Sequence, residues 1–230
     1  MIFQSWLQLL CQFNLLSLFI FFLIENLVLI ILSVILAKII EYDNTKLNKT
    51  DRKWVIATLI CNTFITLLGF ELYRFGIIKI DFSPSLLSIV ADTFFLIIVM
   101  DFFMFCFHFL AHYLKWFSPI HKLHHTHVET SVYSLYVLHP VETLGFGIIW
   151  LFSITVLNFN YLSIIIYLIL NLLYGIFGHL KTNIFHDFWY KNFATKWIST
   201  TKFHSDHHKH QSHNYGFYFT IWDKIFKTIF

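Results

Sequence analysis

Charge is scarce in this sequence: 13% of its 230 residues are Asp, Glu, Lys or Arg, and no Lys or Arg precedes Lys38. A secretory leader needs a basic start and a short apolar core, whereas the stretch from Leu15 to Ala37 is too long for one and reads as a retained membrane span. Cysteine is limited to Cys11, Cys61 and Cys106, odd in number and set within or beside apolar runs. Without paired spacing they exclude a disulfide framework, a thiolate zinc site and an iron–sulfur centre, which leaves packing as their role. Three Pro and seven Gly leave the apolar runs largely uninterrupted, unlike the broken helices at transporter binding sites. No dinucleotide-binding glycine fingerprint and no C-x-x-C-H attachment motif is present, so neither a flavin nor a haem is expected. The net charge of +3 is spread among aromatics with no basic stripe, which argues against nucleic acid as a partner. No internal repeat, low-complexity tract or interdomain linker interrupts the chain.

Apolar residues fill that space. They make up 57% of the chain, with 29 Phe, and the mean hydropathy is +0.67, which places it among membrane proteins. Runs long enough to cross a hydrocarbon layer extend over about Leu15–Ile40, Trp54–Leu72, Leu86–Leu110, Val141–Leu157 and Tyr161–Phe177. The last two are separated only by Asn158-Phe159-Asn160 and form an antiparallel hairpin. The expected fold is therefore all-α, a polytopic helical bundle of four to five spans, with residues past Lys181 forming an interfacial, partly helical cap. This layout puts fourteen of the sixteen Lys and Arg on one side, which the positive-inside rule assigns to the cytoplasm.

Histidine is the other excess. Fourteen are present, and eight fall in three clusters at the cytoplasmic ends of this layout: His108 and His112; His121, His124 and His125; His204, His207 and His208. Residues three or four apart share a helix face, so each cluster can aim its rings inward. A single ion rarely takes more than six ligands, and eight nitrogens suit two ions better than one. His139, just before a span, and His179, at the end of another, lie level with the clusters and are further candidate ligands. His127, His186, His210 and His213 read as interfacial side chains. Asp101, Glu142 and Asp206 are the candidate catalytic carboxylates. Asp101 lies seven residues before His108, about 10 Å along a helix and too far to share its ion, yet an intramembrane carboxylate is costly to keep. Glu142 and Asp206 are placed to orient imidazoles. Imidazole alone suits iron, zinc, copper or nickel.

In order and spacing these residues resemble the fatty acid hydroxylase/sterol desaturase superfamily. The resemblance rests on H-x-x-x-H at His108, H-x-x-H-H at His121 and His204, His139-Pro140-Val141-Glu142, Gly178-His179, and Asn214-Tyr215-Gly216 followed by Trp222-Asp223. The stretch from His204 to Asp223 is most similar to the lathosterol oxidase branch. The resemblance implies a non-haem di-iron centre, with zinc a possible substitute, that activates O2 to hydroxylate or desaturate a sterol or fatty acyl chain. It also implies electrons from a cytochrome or ferredoxin-type donor approaching the basic face. Residues 1–80 would be N-terminal transmembrane helices and 81–230 the catalytic domain. The competing expectations are a histidine-rich metal transporter or metal-binding membrane protein without oxygenase activity, and an enzyme-like fold that has lost catalysis.

Overall fold

A computed structural model describes residues 2–41 and 46–230. A short helix, α1 (Ile2–Leu10), leads into α2 (Leu15–Glu41), α3 (Arg52–Arg74) and α4 (Leu86–Tyr113). After the short α5 (Ser118–His121) and two 3-10 turns come α6 (Pro140–Val156) and α7 (Tyr161–Gly178), then the small helices α8 (Phe188–Lys191), α9 (Thr201–Lys209) and α10 (Ile221–Phe226). Two-residue strands β1 (Ile80–Asp81) and β2 (Phe159–Asn160) pair in parallel and join the loop after α3 to the α6–α7 turn.

The helix ends follow from local chemistry. Ser85 caps α4 by accepting from the Ser88 backbone N–H, while the Ser88 hydroxyl accepts from that of Ser85, a reciprocal box that satisfies two orphan donors. Asn160 caps α7 through Ser163 N. Pro140 opens α6, where its missing N–H costs nothing.

Helices α2, α3, α4 and α7 are long and apolar enough to cross a membrane. The 17-residue α6 is shorter, about 25 Å at the usual rise, and packs between α3 and α4. Its seam with α3 depends on close approach: a Cβ at Gly147 would lie 2.5 Å from the Ile65 side chain, and one at Gly69 would lie 2.8 Å from Leu151. The outer faces carry apolar residues such as Leu16, Ile20, Ile24 and Ile35 on α2, the pattern of a lipid-facing surface. The chain is an all-α membrane bundle, and the spans expected from hydropathy coincide with its long helices to within three residues. Helix α1 was not anticipated; its Leu10 packs on Leu18, Phe22 and Phe70.

The cap of α8, α9 and α10 closes one end. Asp101, in α4, accepts from Tyr218 N at 2.7 Å, Phe219 N at 3.3 Å and Trp222 Nε1 at 2.8 Å. Asp223 accepts from Tyr215 N and Gly216 N, both at 2.8 Å. At the same end, Thr182 N donates to Glu41 and the His127 ring meets Asp51. Glu41 and Asp51, at the facing ends of α2 and α3, are thereby held beside the cap.

Candidate metal centre

Nine imidazoles converge under the cap in two groups, each with its ligand atoms within 4.8 Å of one another. The first holds His108, His112, His121, His125 and His207; the second holds His124, His179, His204 and His208. The groups adjoin, with the rings of His125 and His208 4.7 Å apart between centroids. All eight box histidines and His179 are thus brought together. Two of the sequence triads are divided between groups: His121 and His125 face one way and His124 the other, while His207 parts from His204 and His208.

Four rings have their tautomer fixed by an acceptor on Nδ1. His108 donates to Tyr215 O at 2.9 Å, His207 to His213 O at 2.6 Å, His179 to Gly175 O at 2.9 Å and His121 to Glu142 Oε1 at 2.6 Å. A neutral imidazole has one N–H, so each of these leaves a lone pair on Nε2. Those lone pairs point at other imidazole nitrogens. His207 Nε2 lies 3.2 Å from His112 Nε2 and 3.1 Å from His125 Nε2, and His121 Nε2 lies 3.0 Å from His125 Nε2. One proton on His125 can satisfy only one of its two neighbours, whereas a cation satisfies them all.

The spacing agrees. An ion holding imidazole nitrogens at about 2.1 Å separates neighbouring ligand atoms by roughly 3.0 Å in an octahedron and roughly 3.4 Å in a tetrahedron. The shortest Nε2 separations run from 3.0 Å in the first group to 3.4 Å between His179 and His124 in the second, within groups whose ligand atoms extend to 4.8 Å. Buried and unpartnered among the described residues are Nδ1 of His124, His125 and His208 and Oε2 of Glu142. Such orphaned atoms are costly unless the site gains a strong interaction elsewhere. Burial also holds His121 and His179 down to about 4, and it pushes His124 and His207 well below the ordinary imidazole range, reinforced by neighbouring imidazoles. These rings are therefore neutral at pH 7, the form that binds a metal.

The remaining candidates sit apart. His139 lies outside both groups: its Nδ1 accepts from Val141 N as the cap of α6, and its ring packs beside Trp54. Asp206 pairs with Lys202 one turn away on α9, and Asp101 is occupied by the cap. His127 pairs with Asp51, His186 accepts from Phe188 N, and His210 and His213 pack on Phe230. No cysteine belongs to either group. The carbonyls of Gly175, His213 and Tyr215, which orient three of the rings, carry no residue-type signal and went unread in the sequence.

Glu142 touches only the first group, which makes it separable. Glu142→Leu should weaken metal binding there by about 10–100-fold and leave the second group unchanged. Titration with ferrous or zinc ion checks this, and equal loss at both groups would refute the assignment.

A cavity of about 920 Å³ runs from between the helices to these rings. Phe22, Ile65, Met100, Trp150 and Leu172 are among its apolar walls, and His108, His121, His124, His179 and His204 line it at the cap.

Comparison with known proteins follows the same residues. The fatty acid hydroxylase family profile matches residues 93–228. Cholesterol 25-hydroxylase of Homo sapiens is 25% identical over 148 residues, covering 64% of this chain and 54% of the relative. Lathosterol oxidase of Homo sapiens is 26% identical, covering 63% and 47%, and methylsterol monooxygenase 1 of Gallus gallus is 26% identical, covering 74% and 55%. The chain thus spans about half the length of these relatives. No solved structure matches it. With more than half of its length matched by the profile, including every box histidine, the chain belongs to the fatty acid hydroxylase family.

Proposed function

We propose that this chain is a membrane-embedded oxidoreductase that uses O2 to hydroxylate or desaturate a lipid, a sterol or fatty acyl chain, at a di-iron centre on the cytoplasmic face. One observation carries the reading: an apolar cavity of about 920 Å³ that ends on members of both histidine groups. That volume suits a lipid-sized ligand. The sterol-oxidising relatives support the same substrate class.

When bound, a pair of iron ions supplies reductive activation of O2 and the oxidising power to attack an unactivated C–H bond. The protein does the rest. Glu142 and the carbonyls of Gly175, His213 and Tyr215 hold rings in the tautomer that presents Nε2. Phe146 and Phe217, packed against each other and, through Phe217, against His108, keep bulk water from the cap end of the cavity. Productive attack requires the target carbon to be held within about an ångström of its reactive position, which is the task of the cavity walls. Residues 81–230 would form the catalytic unit, and residues 1–80 contribute one wall through α2 and α3.

The contacts of Glu41 and Asp51 keep Lys46, Lys49, Arg52 and Lys53 on the histidine side, together with the basic residues of the cap. This supports a cytoplasmic site and a basic approach surface for a cytochrome or ferredoxin-type donor.

The test is reconstitution in lipid nanodiscs with ferrous ion, then reductant and O2. The expected result is two irons per chain and a lipid product that has gained one oxygen atom or lost two hydrogens. A chain that binds no iron, or that moves metal across liposomes while consuming no O2, would overturn the reading.

A further inference from the structure

Among the described residues, the cavity-lining side chains that are exposed are Glu25 and Leu29 of α2 and Leu168 and Ile169 of α7; every other one is buried or half-buried. Lining the cavity does not itself cause that exposure. Met100 and Leu151 line the same space and are 3% and 6% exposed, against 39% for Leu29, 44% for Leu168 and 54% for Ile169. The four residues therefore border the chamber on one side and the exterior of the bundle on the other.

They also lie at one level of the bundle. Both α2 and α7 run toward the cap, where Ala37 packs in one cluster with Ile176 and Leu180 and Glu41 accepts from Thr182 N. Leu29 is eight residues before Ala37 and Leu168 eight before Ile176, about 12 Å back along each helix. Glu25 is roughly one turn further. Among the described residues, the buried cluster that joins α2 to α7 is the one at the cap end. The opposite end is closed by α1: Phe3 stacks on Tyr161, the first residue of α7, with centroids 5.2 Å apart, while Leu10 packs on Leu18 and Phe22 of α2. Between this sill and the cap-end cluster the two helices stand apart, and the cavity opens sideways.

Depth and charge limit what can pass. An opening about 12–18 Å below the cap-end contact faces hydrocarbon, not headgroups, in a layer about 30 Å thick. Its rim is aliphatic apart from Glu25, and no Lys or Arg lines the cavity. An anionic head drawn through would lose its water with no cation to offset the cost, whereas an apolar body with an uncharged head would lose little. We infer that the gap between α2 and α7 is a lateral window through which neutral lipid moves between the membrane interior and the chamber. The inference rests on the cavity being the substrate chamber, as proposed above, but its test reads entry and not turnover.

Octadecanol carrying a diazirine at the end of its chain would be added to the nanodisc-embedded protein, which is irradiated at intervals and mapped by mass spectrometry. Labelling of Met100 and Leu151 reports arrival in the chamber, and labelling of Leu16 and Ile35 on the outer face of α2 reports arrival in the bilayer. Leu29→Trp combined with Leu168→Trp should slow chamber labelling about tenfold with outer labelling unchanged. Leu29→Ala combined with Leu168→Ala should speed it about twofold, and Ile20→Trp, away from the window, should leave it unchanged. These positions are exposed, so the fold should tolerate the substitutions, and melting temperatures of the same samples check this. The matching octadecanoate probe should reach the chamber more slowly than octadecanol. Unaltered chamber labelling in both the Trp and the Ala pairs, a chamber that never labels, or octadecanoate arriving as fast as octadecanol would overturn the window. Chamber labelling that follows the window variants in a chain that neither holds iron nor oxidises lipid would keep the window and count against the oxygenase reading.

Discussion

Replacing His207 by alanine is expected to abolish turnover and to weaken metal binding in the first group by well over a hundredfold. His207 Nε2 lies between those of His112 and His125, so its ring links the α9 contribution to the rings of α4 and the second box. Removing a residue that merely orients a ligand typically costs 10–100-fold, and removing the ligand itself costs more. The division of the boxes sharpens the prediction. His124→Ala should deplete the second group and His125→Ala the first, although the residues are adjacent in sequence. Under the proposed two-ion reaction, in which both ions are needed, the double variant should be no less active than either single variant. Metal analysis combined with a lipid oxidation assay checks both points. Full activity in His207→Ala, or loss from the same group in His124→Ala and His125→Ala, would remove the basis for a two-ion centre.

The membership of the cluster was legible in the sequence, but its partition was not. Spacings of three and four put the box histidines on common helix faces, and the short turn at Asn158-Phe159-Asn160 returned the third box to the first two. Which ring joins which group depends on local winding. The second box straddles the end of α5 and a 3-10 turn starting at His124, so the angle between its rings departs from that of a continuous helix. His139 shows a different limit. Pro140 forces the preceding residue into extended backbone, at φ −74 and ψ 142, and the imidazole turns back to cap α6. The partners of Asp101 lie more than a hundred residues away, beyond the reach of any local pattern.

Asp101→Ala is the second substitution expected to have a large effect, through structure and not chemistry. It would leave Tyr218 N, Phe219 N and Trp222 Nε1 without their acceptor. An unsatisfied buried donor costs about 1–3 kcal/mol, so the three together should lower stability by about 4 kcal/mol, a severe loss for one substitution. The damage should spread to the metal centre, because the segment these bonds anchor includes His213 and Tyr215, whose carbonyls orient His207 and His108. Asp101→Asn separates this role from a catalytic one. The amide oxygen can still accept from Tyr218 and Phe219, and only Trp222 would face a donor in place of an acceptor. The asparagine variant should therefore keep most of its metal and a measurable share of its turnover, while the alanine variant loses both and melts at a much lower temperature. If Asp101→Asn were inactive with its melting temperature and metal content unchanged, Asp101 would have to act in proton transfer or substrate contact, and its bonds to the cap would not explain its place in the membrane.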